Sequence, residues 1–162
     1  MTTRGKAHKY GRNIDTDGIL PGRYLNIADP DELGKHCMED FDPDFRSRVR
    51  PGDLIVARSN YGCGSSREHA PVALKANGIS CIIADSFARI FYRNALNLAL
   101  ALVECAELAA VTDTGDDIEV DLRKGTAVNH TKGKSYTFNS YPQFMMDILD
   151  AGGLTAYTKR TM

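Results

Sequence analysis

Leu54-Ile-Val-Ala-Arg-Ser-Asn-Tyr-Gly-Cys-Gly-Ser-Ser-Arg-Glu-His69 decides how this chain folds. Leu54 to Ala57 is a short apolar run of the kind that a strand covered on both faces carries. After Gly62-Cys-Gly64, the stretch Ser66 to Ala76 lacks breakers apart from an early proline, and the pattern predicts a helix starting at Ser66. The glycines then fall at a strand-to-helix turn, where they take backbone angles closed to other residues and let the chain approach a ligand closely. On this reading the free N–H groups of the first helical turn form an anion site, and Arg67 adds a planar fork suited to a carboxylate. Ser65 and Glu68 also have the S-x-x-E spacing of a capping box. Capping accounts for those two residues, but not for Gly-Cys-Gly before them or for Arg67 between them.

Working outward, Asn77-Gly78 reads as a helix stop, residues 79–84 as a strand, 86–95 as a helix and 96–103 as a further apolar segment. The helix carries Phe87, Ile90, Phe91 and Asn94 near one face, with Arg89 and Arg93 as solvated surface charge. Alternation of this kind implies parallel strands joined by crossover helices, with ligands collecting at the carboxyl ends of the strands. The last third turns to short alternating strands, Ile118–Leu122 and Ser135–Phe138, which read as a hairpin region packed on that core. A helix from Tyr141 to Asp150, with Phe144 and Ile148 at helical spacing, stops at Gly152-Gly153. At the other end, a strand over Lys6–Tyr10 leads into Asn13-Ile-Asp-Thr-Asp-Gly-Ile-Leu-Pro21. There Asp15 and Asp17 have the setting of backbone-capping turns. Gly22 to Ala28 reads as an exposed connector, and Asp29 before Pro30 as a helix N-cap.

With 162 residues, 43% of them hydrophobic, the chain supports one full core, and residues 1–162 are expected to form a single domain. Twenty basic and 21 acidic residues are spread evenly, which argues against nucleic-acid binding. The N-terminal residues lead into no apolar stretch of signal length, and nothing approaches the ~20 apolar residues of a membrane span, so a soluble cytoplasmic protein is expected. Cysteines stand at 37, 63, 81 and 105 without paired C-x-x-C spacing, which argues against a metal or iron-sulfur site held by this chain alone. Cys81 and Cys105 read as buried thiols. Cys63, between the glycines, is either a small residue filling a tight turn or a reactive thiolate near a helix N-terminus.

Gly62-Cys-Gly-Ser-Ser-Arg-Glu-His-Ala70, Ile82-Ile-Ala-Asp-Ser-Phe-Ala-Arg-Ile90 and Asn13-Ile-Asp-Thr-Asp-Gly-Ile-Leu-Pro21 together resemble the swivelling domain of the aconitase superfamily. At this length the chain is similar to the free-standing small subunits of the isopropylmalate isomerase family. The resemblance runs nearly end to end, including Tyr141-Pro-Gln-Phe-Met145 and Ala151-Gly-Gly-Leu154. It implies an α/β fold: a swivelling β/β/α domain with a mostly parallel central sheet, crossover helices and a C-terminal β-hairpin region. It also implies a shared active site, in which a separate large subunit holds a 4Fe-4S cluster through three cysteines and this chain, with no cofactor of its own, closes the site from the other side.

The implied reaction dehydrates a hydroxy diacid and rehydrates the alkene at the neighbouring carbon, in leucine biosynthesis. By the same resemblance Ser65 is the base, acting as an alkoxide, with Asp17 close to it and with Ser66 and Arg67 on a substrate carboxylate. Specificity is implied to lie in the connector. There Asn26, flanked by apolar Leu25 and Ile27, stands where members acting on a third carboxylate are expected to present an arginine, which favours a branched alkyl group over the chain of homoaconitate or citrate. A 2,3-dimethylmalate dehydratase subunit has a similar apolar need. Two other classes stay open on the residues alone. One is a hydrolase triad of Ser65 or Ser66 with His69 and an aspartate, although G-x-S-x-G is missing; the other is a non-catalytic carboxylate-binding module on the glycine turn.

Overall fold

A computed structural model describes residues 2–162. Strand β1 (Thr2–Lys9) is followed by a one-turn helix α1 (Thr16–Ile19), a 3-10 turn at Gly22–Tyr24, α2 (Pro30–Gly34) and α3 (Phe45–Arg48). The alternating part is β2 (Leu54–Val56), α4 (His69–Ala76), β3 (Cys81–Ala84), α5 (Arg89–Asn97), β4 (Ala101–Glu104) and α6 (Ala106–Val111). The chain ends with β5 (Asp117–Asp121), β6 (Thr126–Asn129), β7 (Lys134–Thr137), α7 (Gln143–Ala151) and α8 (Leu154–Thr161).

The strands form one seven-stranded sheet in the order β4-β3-β2-β1-β5-β6-β7. β1 to β4 pair in parallel, and β1, β5, β6 and β7 pair antiparallel. β1 belongs to both halves: Thr2 to Lys6 lie against β5, and Ala7 to Lys9 lie against β2. The hairpin region expected to pack on the core therefore continues its sheet edge to edge. Burial explains the different sequence patterns. β2 and β3 are buried at every residue because helices or strands cover both faces, whereas β5 alternates between buried and half-exposed positions because one face meets solvent. Ile55, Ile82 and Leu102 point to the face packed by α4 and α5; Leu54, Val56, Ile83 and Val103 point to the face packed by α6 and α7.

Several details differ from the sequence expectation. The helix predicted from Ser66 begins at His69, and the physical reason lies at Pro71. In a helix from His69 the proline occupies the first turn, where no N–H is needed; in one from Ser66 its ring would meet the carbonyl of Arg67. Glu68 precedes the helix without a side-chain cap, so the capping box is not formed. Ile90 is 50% exposed and Phe144 59% exposed, so neither joins the apolar face on which its spacing put it. Finally, α8 follows Gly152-Gly153 where a stop was expected; Gly152 ends α7 with φ at 92° and the chain re-enters helix immediately. Asp29 does cap α2, accepting a hydrogen bond from the Glu32 N–H at 3.2 Å, with Pro30 at the first helical position.

Candidate functional site

Beyond the ends of β1, β2 and β3 the chain continues as three loops that pair with one another. The Gly62 N–H donates to the Ile14 carbonyl at 2.7 Å, the Thr16 N–H to the Cys63 carbonyl at 2.8 Å, and the Ala88 N–H to the Tyr61 carbonyl at 2.9 Å. Asp15 and Cys63 thus form a parallel bridge, as do Tyr61 and Phe87. The three motifs picked out in the sequence meet here, at the carboxyl end of the parallel strands. Gly62 has φ at 83°, and a Cβ there would lie 2.2 Å from the Phe91 ring, so the close packing of α5 against this loop requires a residue without one.

Ser65, Arg67 and Asp17 lie together. The Arg67 Nε–H donates to Ser65 Oγ at 2.9 Å, and Nη1 donates to Asp17 Oδ1 at 3.1 Å and to the Leu20 carbonyl at 3.3 Å. Asp17 Oδ1 also accepts from the Gly22 N–H at 2.9 Å, and that bond, followed by Arg67, holds its pKa below the usual carboxylate value. Among the described residues Arg67 Nη2 has no hydrogen-bond partner. Gly22 lies beside it: a Cβ at residue 22 would stand 3.4 Å from Nη2, in ordinary van der Waals contact. Ser65 and Ser66 are exposed, and Arg67 is half-buried. Surface cavities of about 280 to 420 Å³ elsewhere on the chain are lined by other residues.

Three participants were not singled out from the sequence for this site. Thr16, buried between the two aspartates, donates through Oγ1 to the Ser65 carbonyl at 3.0 Å and fixes that residue's backbone. Gly22 clamps Asp17, and Asn94 donates through Nδ2 to the Ser66 carbonyl at 3.4 Å. Thr16 lies 49 residues from Ser65 and Asn94 lies 28 from Ser66, so no local pattern announces either pairing. Asp15 acts as its turn composition suggests, capping α1 by accepting from the Gly18 N–H at 2.6 Å.

In the connector, Asn26 is exposed while Leu25 and Ile27 are half-buried, and Ile27 packs against the core. Cys63 does not fit a thiolate: no helix starts beside it, and burial followed by the Asp15 charge pushes its pKa up. Cys37, Cys81 and Cys105 are buried, and among the described residues no three His, Cys, Asp or Glu side chains converge as metal ligands. His69 opens α4 and makes no hydrogen bond to Ser65 or Ser66 among the described residues, so the triad geometry is missing. No described helix is long and apolar enough to cross a membrane.

Residues 28–108 match the model of the aconitase C-terminal domain family. The 3-isopropylmalate dehydratase small subunit of Caldicellulosiruptor bescii is 57% identical over 159 residues, covering 98% of this chain and 96% of that one. The chain belongs to the aconitase C-terminal domain family. The likeness extends over nearly the whole chain: the crystal structure of 3-isopropylmalate dehydratase from Methanocaldococcus jannaschii superimposes with a TM-score of 0.94 at 45% identity, over 99% of this chain and 95% of that one. Within the family, the 2,3-dimethylmalate dehydratase small subunit of Eubacterium barkeri is 53% identical over 161 residues, 99% of each chain. The α/β swivelling-domain architecture expected from the three motifs is the one this family has.

Proposed function

We propose that this chain is the small subunit of a heteromeric hydro-lyase that interconverts 2-isopropylmalate and 3-isopropylmalate by dehydration and rehydration, in leucine biosynthesis, and that it is active only with its large subunit. The observation that carries the chemical part is the 2.9 Å hydrogen bond from Arg67 Nε–H to Ser65 Oγ. A positively charged donor aimed at the serine oxygen favours its anionic form, which is what a base for a carbon-bound proton requires. Ser65 takes that proton and becomes a hydroxyl; on rehydration it returns the proton to the neighbouring carbon. Arg67 Nη2 and the Ser66 hydroxyl, both open, receive a substrate carboxylate, while Asp17 keeps the guanidinium in its orientation. Leu25, Asn26 and Ile27 face the branched alkyl group.

The departing hydroxyl needs a Lewis acid, which a 4Fe-4S cluster on the large subunit would supply; no residue of this chain takes that part. The test is co-expression with a candidate large subunit, followed by ultraviolet absorbance of the unsaturated intermediate formed from 3-isopropylmalate. Ser65→Ala is expected to lower kcat by on the order of 10²–10⁴, the range of a positioned acid or base, with little change in KM. Undiminished turnover by that variant would overturn the assignment. The Eubacterium barkeri relative favours a second reading, with 2,3-dimethylmalate as substrate. Running both malates in the same assay separates the two, and binding without turnover in the full assembly would favour a carboxylate-binding module instead.

A further inference from the structure

Arg23, the residue after Gly22, carries a second guanidinium, and both of its terminal nitrogens are engaged away from Arg67. Its Nη1 and Nη2 form a two-pronged pair with Asp40, both at 2.7 Å, and Nη2 also donates to Glu39 at 2.8 Å. The guanidinium lies over the Tyr24 ring, 4.8 Å from its centroid. Tyr24 is itself stacked on His36 at 3.8 Å and donates its hydroxyl to Glu39, whose other oxygen accepts from His36 Nδ1 at 3.2 Å. A single exposed ion pair contributes little, but a fork on one carboxylate, a second carboxylate and a ring beneath make a network with defined geometry.

The position of this network gives it consequence. Gly22, the preceding residue, is bonded to Asp17, and a Cβ on it would lie 3.4 Å from both Arg67 Nη2 and Asp17 Oδ1. The Arg23 Cα is one peptide further, about 3.8 Å along the chain, so its long side chain can span to the open arm of Arg67. It is turned instead toward the acidic pair on the 39–40 segment.

We infer that Asp40 and Glu39 are specificity-determining residues, which hold Arg23 off the carboxylate site so that the site offers the single open arm of Arg67 and rejects a malate whose side chain ends in a further carboxylate. This rests on the proposed function and names the substrate class that its site excludes.

The experiment uses the assembled enzyme, with isopropylmalate turnover as signal and isocitrate, a hydroxy tricarboxylate, as competing ligand. Asp40→Asn together with Glu39→Gln is expected to lower the inhibition constant of isocitrate roughly tenfold, the worth of one charge-assisted contact. Adding Arg23→Gln to the pair should restore the wild-type constant, because the gain depends on the released guanidinium and not on the lost negative charge. Arg23→Gln alone should leave kcat/KM for isopropylmalate within about twofold of wild type, as for an ordinary surface substitution. An unchanged inhibition constant in the double variant, a gain that survives in the triple variant, or a large loss in Arg23→Gln alone would each overturn the inference. These outcomes are read against working enzyme, whereas a wild-type assembly that does not turn over isopropylmalate overturns the functional reading itself and the inference with it.

Discussion

Arg67 divides its guanidinium: Nε donates to the serine oxygen, Nη1 is anchored on Asp17 and the Leu20 carbonyl, and Nη2, without a partner among the described residues, is the arm that the proposed function gives to a substrate carboxylate. A lysine at this position keeps the charge and loses the fork, since one ammonium cannot reach the serine and the aspartate in fixed directions at once. Arg67→Lys in the assembled enzyme is therefore expected to lower kcat/KM by about 10²-fold, as when one or two charge-assisted contacts are lost, with the fall shared between kcat and KM. Steady-state kinetics on 3-isopropylmalate checks this; a fall confined to KM would mean that Arg67 binds substrate without acting on Ser65. At this scale the sequence was only partly readable. Gly62, Gly64 and Arg67 stand out by residue type, and Asp17 by its motif. The tie between Thr16 and Ser65 depends on two loops brought together by β1 and β2, and it leaves no mark in either loop's composition.

Strands and helices were more legible, because burial on both faces or one face writes itself directly into the run length and alternation of apolar residues. The exceptions have tertiary causes. The expected helix was to start at Ser66, yet the carbonyls of Cys63 and Ser65 are taken by Thr16, and helix waits until His69. Pro71 was the readable signal for that delay. At the start of β5, Asp116 shows how an element boundary depends on charge. Burial would push its pKa up, but the Asp113 N–H, the Lys132 ammonium at 2.7 Å and the Asn129 amide at 2.9 Å bring it down to about 2. With a folded-state pKa below the ordinary value, its contribution is in place above the usual carboxylate range and is lost as pH falls through about 2. Asp116→Asn should cost on the order of 2 kcal/mol near neutrality. The gap between variant and wild type should close as acid is added. Urea unfolding at several pH values measures it; a gap that stays constant with pH would assign the loss to packing.

For the whole molecule, β1 fastens the parallel and antiparallel halves into one sheet, so the isolated chain is expected to unfold in a single transition. On the proposed function, however, folding alone does not complete the site. Ser65 is exposed, as are Gly64 and Ser66 on either side of it. Two charges about 4 Å apart interact by about 1 kcal/mol in bulk water and about 4 kcal/mol at the effective dielectric of a partly closed site. The effect of Arg67 on a serine anion therefore grows severalfold once a partner excludes solvent, and α4, which starts four residues after Ser65, adds little because helix-end effects fade within the first turn. The purified chain should accordingly be folded, with cooperative unfolding by circular dichroism, and should give no detectable absorbance of unsaturated product from 3-isopropylmalate at any pH between about 6 and 9, a window in which an unassisted serine stays protonated. Adding large subunit to the same sample should restore turnover without any change in the chain's own far-ultraviolet spectrum. Turnover by the chain alone would mean that the exposed Ser65 suffices and that the division of the active site between two polypeptides is wrong.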